Sequence, residues 1–449
     1  GGSGFKDCWN LANLTLGNGL TSIGAFAFSG CVSLSSVTIP NSLAIIQNNT
    51  FEGCAGLTSL TLGTGVTSIG EKAFKNCSSL TSLTIPSNVT SIAGSAFSDC
   101  ANLNSLTLGS GVTNVGTNAF FNCTALTSLI IPNNVTSIGA SAFGGCHGLT
   151  NLTLGNGVTN IASSTFFACT NLASVTIPDT VTMIGTNAFL NCYGLTNLTL
   201  GTGVTNIALG AFNNCRSLPG VIIPDSVKGI GNSAFASCTN LSSLTIGNSV
   251  TSIGSAAFAG CAITNLTIPA SVTSIGTLAF NASAKLAAVN FLQSSPPTVA
   301  ANSFTGVAPG AVGFYPAAAS VAWSGTTVSG LTLMASGTLP AVTFTAPASL
   351  TYDGAGKAYT ATASGVSGFS YSYRGRNSTT YGPSDVPPVN AGDYTVTATS
   401  TDSIFTGSAQ QNFTITQATA TVTVSDLSQV YNGSPRPVAV TTVPANLAV

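Results

Sequence analysis

Cysteine recurs in this chain at an interval that never slips. Cys8, Cys31, Cys54, Cys77, Cys100, Cys123, Cys146, Cys169, Cys192, Cys215, Cys238 and Cys261 are each 23 residues apart, and no cysteine lies outside the series. A phenylalanine stands three positions before every one of them, from Phe5 to Phe258. A unit of that length cannot bury its own apolar face. A fixed period of this kind therefore demands a solenoid, in which each coil completes the core of the next.

One unit shows how a coil is built. After Cys77, strand alternation turns Leu80, Leu83 and Ile85 inward and Thr84 outward. Pro86 fixes φ and donates no hydrogen bond, which suits a corner. Val89 and Ile92 return inward on a second short extended segment, and Ala96 and Phe97 close the coil through a short 3₁₀ or helical turn. Strand spacing of about 4.8 Å makes about thirteen such coils a rod of roughly 60 Å. The corner alternates between Pro40, Pro86, Pro132, Pro178 and Pro224 and Gly17, Gly63, Gly109, Gly155 and Gly201, so the larger unit is a pair of coils. Gly-x-Gly at alternate corners is expected to supply positive φ where proline supplies a fixed negative one. The alternation reads as duplication of a two-coil block.

The pattern L-x-x-L-x-I-P-x-x-V-x-x-I-G-x-x-A-F-x-x-C, carried by a dozen units, resembles the leucine-rich repeats of the BspA-like kind over residues 1 to about 325. The resemblance implies a mainly β leucine-rich-repeat solenoid and a bacterial surface or secreted protein of adhesion and interaction. The sequence begins in mid-coil, since Gly1-Gly-Ser-Gly-Phe5-Lys-Asp-Cys8 aligns with Gly70–Cys77. An export leader and an anchor are therefore expected outside it.

Charge is scarce. Asp, Glu, Lys and Arg make up 5% of the residues and balance to −1, about a fifth of the usual charged share. No basic stripe exists for nucleic acid or an anionic membrane, and no apolar run is long enough to span a bilayer. Solubility rests on Ser, Thr, Asn and Gly, a composition that fits an extracellular or cell-surface location.

Two outward columns are regular. One contains Thr61, Thr84, Thr107, Thr153, Thr176 and Thr199, interrupted by Ile130 and Ile222; the other runs through Thr67, Thr90, Thr113 and Thr136. Threonine suits any exposed strand, and the first column is also the candidate contact surface, a hydroxyl array for proteins or glycans of a cell surface or matrix. Its interruptions argue against ice. The cysteine spacing lacks the C-x-x-C of a metal site, and His147 is the only histidine, so no metal or cofactor is expected. In-register side chains point the same way rather than at each other, which favours buried free thiols over disulfides. Asp179 and Asp225 follow corner prolines two coils apart, roughly 10 Å by the stacking rule, near the separation of an inverting glycosidase pair. Other coils carry Asn or Ser there, so polar turns explain them better and no enzyme is expected. Asn88, Asn134 and Asn412 stand in Asn-x-Ser/Thr triplets, which repeats rich in these residues produce without any glycan.

After Cys261 the rhythm breaks. Phe280, Ser283, Leu286, Val289 and Phe291 form a degenerate last coil, and Tyr315 and Trp323 are expected to cover the edge. The expected division is a solenoid over 1–292, a closing segment and linker over 293–337, an Ig-like sandwich over 338–417 and the start of a second over 418–449. Alternating segments such as Phe369–Tyr373 and Tyr394–Ala398 carry the third part. Tyr352-Asp-Gly354 and Ala391-Gly-Asp-Tyr394 resemble bacterial Ig-like modules of the MBG and YDG type, and Tyr431-Asn-Gly433 echoes the first of these. The Ig-like modules would be spacers. An alternative is a self-associating extracellular filament or sheath, and a glycan-active enzyme ranks third.

Overall fold

The computed structural model describes residues 2–443, apart from 338, 403, 404, 406, 420, 426, 429, 431, 432 and 435–438. Tyr431 and Asn432 of the second Tyr-Asn-Gly motif thus lie outside the described residues. The chain divides into two compact units, Gly1–Met334 and Ala335–Val449.

The first unit is a succession of about thirteen coils of roughly 23 residues. Each coil has three sides: a three-residue strand such as Ser82–Thr84, a two-residue strand such as Ser91–Ile92, and a run of turns. All strand pairing between coils is parallel and in register, as in Ser82↔Ser105, Leu83↔Leu106 and Thr84↔Thr107. The assigned inward residues are buried: Leu80, Leu83, Ile85, Val89, Ile92, Ala96, Phe97 and Cys100 all join one continuous core. The turn side is broken by residues at positive φ, Ser95 and Asp99 in this coil, so two tight turns replace a regular 3₁₀ helix. Asparagine holds that conformation in several coils, including Asn76, Asn122, Asn191 and Asn214, because its short polar side chain tolerates the left-handed region.

Two internal ladders run along the core. Phenylalanine rings from Phe5 to Phe280 stack in sequence and continue into Phe304, with centroids 5.1–5.9 Å apart and interplanar angles of 2–16°. Beside them, each buried thiol donates to the carbonyl oxygen of the phenylalanine in the preceding coil, as Cys77 does to Phe51 and Cys100 to Phe74, both at 3.4 Å. All twelve cysteines are free, and all but half-buried Cys8 are buried. Where the cysteine is replaced by Ser283, its hydroxyl makes the same bond to Phe258 at 3.2 Å.

The corner glycines correct the torsional expectation. Gly109 and Gly111 are not at positive φ. They are glycines because the preceding proline corner leaves no room: a Cβ on Gly109 would lie 2.5 Å from the oxygen of Pro86, and one on Gly111 would lie 1.8 Å from that of Ser87. Close approach, not conformational freedom, selects the residue.

That close approach makes the strand side a series of couples. Each proline-corner strand from Ser36–Thr38 to Gly220–Ile222 pairs over three residues with the glycine-corner strand after it, as Ser36–Thr38 with Ser59–Thr61 and Ser174–Thr176 with Asn197–Thr199. From glycine corner to the next proline corner the ladder opens, and Ser59–Thr61, Ser105–Thr107, Asn197–Thr199 and Ser243–Thr245 end their sheets there. Asn151↔Ser174 alone bridges such a step.

The solenoid ends in a four-stranded sheet ordered Asn265–Ile268, Ala288–Phe291, Val312–Tyr315 and Thr332–Ala335. Two short helices, Ala317–Ala319 and Ser320–Trp323, bring Trp323 onto Phe291 at 5.2 Å and parallel to Tyr315 at 5.1 Å. The Trp323 indole donates to the Gln293 carbonyl at 3.3 Å.

The second unit is antiparallel. Thr343–Thr345 pairs with Thr360–Thr362, and Phe369–Gly375, Gly392–Ser400 and Ser408–Ile415 form a three-stranded sheet. Tyr359, Tyr373, Tyr394, Val396, Phe413 and Ile415 make its core, with Phe344 packed against them. Thr421–Ser425 and Ala439–Val443 form a further hairpin.

Candidate contact face on the strand side

The two threonine columns, equivalent in sequence, differ in use. Hydroxyls of Thr67, Thr90, Thr113, Thr136, Thr182 and Thr205 donate to backbone carbonyls of the preceding coil at 3.0–3.3 Å. They are part of the stacking. Thr61, Thr84, Thr107, Thr153, Thr176 and Thr199 sit at the outward ends of their strands, exposed, with Thr84 directly paired to Thr107 and Thr176 to Thr199. Their hydroxyls are available to a partner. Strand alternation places them there, since each follows a buried Leu or Val. The sequence could not separate the columns, because the distinction lies in which carbonyl the neighbouring coil presents.

The open steps of the ladder lie on the same face. Leu106 and Leu198, in glycine-corner strands, are 9% and 8% exposed, against 2% for Leu83 and Val175 in proline-corner strands. A cleft of about 880 Å³ lies between Asn197–Thr199 and Gly220–Ile222 and is floored by Leu198, Leu200 and Val221. Ile130 and Ile222, the two interruptions of the threonine column, are 67% and 70% exposed. Sequence reading noticed the interruptions and missed the openings, which depend on the alternation of corners.

Asp179 and Asp225 are both exposed, and each has an oxygen already committed. Asp179 Oδ1 accepts from the Thr202 amide at 2.7 Å and its hydroxyl at 3.0 Å, and Asp225 Oδ1 accepts from the Asn248 amide at 2.6 Å. Hydrogen bonds from Thr202 hold the Asp179 carboxyl below its ordinary range. Asn41 and Asn133 accept from Thr64 and Asn156 at the same place in other coils. The position therefore caps the next corner, which requires an acceptor and not a charge. The amides of Asn88 and Asn134 likewise donate to Thr64 and Ser110 of the preceding coil. His147 is an exposed turn residue.

Burial pushes the thiol column up, Cys54, Cys100 and Cys146 to about 12 and Cys77 well beyond its usual value. These are packing groups that stay protonated, not nucleophiles. Among the described residues no cluster of three or more His, Cys, Asp or Glu could hold a metal, and no helix is long and apolar enough to cross a membrane. In the second unit the buried Lys357 pairs with Asp353 at 2.6 Å, four residues apart. Thr414 and Asn377 hydrogen-bond both oxygens of Asp393 and lower its carboxyl. Both clusters hold their own loops and strands together.

Comparison with known proteins agrees with this architecture. The model of the BspA type leucine rich repeat region matches residues 1–127, 113–238 and 205–307, and that of the MBG domain matches 341–419 and 420–449. A leucine-rich repeat protein from Bacteroides ovatus is similar at 25% identity and a TM-score of 0.63, over 75% of this chain and 86% of that one. A leucine rich cell surface protein from Faecalibacterium prausnitzii shares 29% identity over 61% of this chain and 77% of its own, with a TM-score of 0.38. The pneumococcal vaccine antigen PcpA shares 20% over 67% and 79%, with a TM-score of 0.41. No curated protein matches.

Proposed function

From a chain that belongs to the BspA-type leucine-rich repeat family and carries an MBG domain after its repeats, we propose a non-enzymatic protein of adhesion and interaction, working at a bacterial surface or secreted from it. The strand side of the solenoid is the binding platform, and the C-terminal modules are spacers. One observation carries this: Thr61, Thr84, Thr107, Thr153, Thr176 and Thr199 are exposed in a straight column, while the companion threonines are consumed by stacking. Proteins and glycans both offer the donors and acceptors such a column would meet. The low charge and hydroxyl-rich surface fit the extracellular location. Glycan hydrolysis is disfavoured because both candidate carboxylates serve as corner caps.

Surface plasmon resonance of the full chain against a panel of host matrix proteins and glycans tests the reading. Replacing Thr84, Thr107, Thr153 and Thr176 together with lysine should weaken a detected interaction at least tenfold. Undiminished binding by that variant would place the platform elsewhere. A filament subunit is the other arrangement, and it would appear in negative-stain images as end-to-end growth.

A further inference from the structure

We propose that two copies of this chain pair face to face and antiparallel through the strand side, with Ile130 and Ile222 of each copy seated in the open ladder steps of the other. A single exposed isoleucine needs no explanation. These two stand where the column otherwise carries threonine, and each is on the strand bordering an open step: Ile130 beside the opening after Ser105–Thr107, Ile222 beside the opening after Asn197–Thr199. Leu198 and Leu200 floor the cleft at the second opening, and their equivalents at the first, Leu106 and Leu108, are exposed to the same degree, 9% and 7% against 8% and 8%.

The spacing selects the occupant. Ile130 and Ile222 are four coils apart, and so are their two openings. With ring steps of 5.1–5.9 Å along the phenylalanine column, both separations are about 21 Å. A two-fold axis parallel to the strands, passing between Asn151–Thr153 and Ser174–Thr176, then seats Ile130 in the partner's second opening and Ile222 in its first at the same time. That is the self-complementarity an isologous interface requires. A parallel pairing would set Ile130 against Ile130 instead of against an opening. None of the outward residues on these strands is charged, from Ser36 and Thr38 to Asn265 and Thr267, so two identical faces meet without repulsion. Ten strands of three residues and one of four offer about 500 Å² per copy, hence about 1,000 Å² in total, the low end for a specific contact. The dimer is therefore reversible and concentration-dependent.

This pairing does not rest on the adhesion reading, although it would cover the same face. Sedimentation velocity on the full chain, over about two decades of concentration around the micromolar range, should show a monomer–dimer equilibrium. Ile222→Thr installs the residue that other coils carry and so keeps the fold; it should weaken the dimer at least tenfold. In a Cys8→Ser background, where the remaining native thiols are buried, Thr176→Cys lies beside the axis and should cross-link to itself under oxidation. Thr84→Cys, about 40 Å from its mate by the same coil count, should not. A monomer at every concentration, a dimer indifferent to Ile222→Thr, or equal cross-linking from both positions would overturn the proposal. The matrix-binding assay repeated with Ile222→Thr separates the two ideas, because a monomeric variant that still binds its partner leaves the adhesion reading intact.

Discussion

The thiol of Cys100 donates to the carbonyl oxygen of Phe74 across 3.4 Å and 26 residues of sequence, joining one coil to the coil before it. The same contact recurs from Cys31 to Cys261. Burial raises the folded-state value of Cys100 to about 12, above the roughly 8.5 of an unfolded thiol. Stability from such a group is complete below about pH 8.5 and is lost as pH rises toward the folded value, by about 1.4 kcal/mol per pH unit for each thiol. Denaturant titrations between pH 8 and 10 should therefore show steep alkaline destabilisation. Replacing Cys100, Cys123 and Cys146 with serine, as the chain itself does at Ser283, should reduce that slope by about 4 kcal/mol per pH unit. An unchanged slope would mean that the thiols are not buried in solution.

Phe120 is stacked at 5.3 Å on both Phe97 and Phe143 and is fully buried. Phe120→Ala should cost about 3–5 kcal/mol, read from urea unfolding followed by circular dichroism. Because each coil is bounded by two others, protection of amides in neighbouring coils against hydrogen exchange should fall as well.

Gly111→Ala and Gly94→Ala make a matched pair. The first puts a methyl 1.8 Å from the Ser87 oxygen, the second no closer than 3.4 Å to Thr117. Overpacking against backbone should make Gly111→Ala destabilising by about 1–3 kcal/mol or more, while Gly94→Ala stays within about 1 kcal/mol of the parent. Equal melting temperatures would refute the close approach of the corners.

In the C-terminal unit, the buried Tyr373 hydroxyl accepts from the Tyr359 amide at 3.1 Å. Tyr373→Phe leaves that buried donor unpaired and should cost the unit about 1–3 kcal/mol. Near-ultraviolet circular dichroism, dominated here by tyrosines, can follow its unfolding in the full chain.

The coil was legible almost residue by residue. A period of 23 fixes which side chains superpose, so Leu80, Leu83, Ile85, Val89, Ile92, Phe97 and Cys100 could be turned inward before any coordinate was known, and all are buried. The glycine corners were misread because a torsional need and a steric one leave the same letter. Gly109 shows the second only when Pro86 of the adjacent coil is in place. The candidate contact face was legible as a column of hydroxyls. Which column remains free was not, since that depends on whether a carbonyl such as that of Thr90 lies under the hydroxyl of Thr113. A repeat chain writes its scaffold in the sequence and its openings in the relation between neighbours.

The alternation of closed and open ladder steps also sets how the solenoid yields under load. Between Ser82–Thr84 and Ser105–Thr107 three residues are laced together, whereas Ser105–Thr107 and Ser128–Ile130 share no ladder, and that joint is held by the Thr127 hydroxyl on the Asn104 carbonyl and by the two-residue strands, Asn114–Val115 against Ser137–Ile138. A chain tugged from its ends should yield first at these more weakly laced joints and surrender two coils at once, lengthening in jumps of about 150 Å rather than half that. A rod of this kind would take up load as a few large, evenly sized extensions.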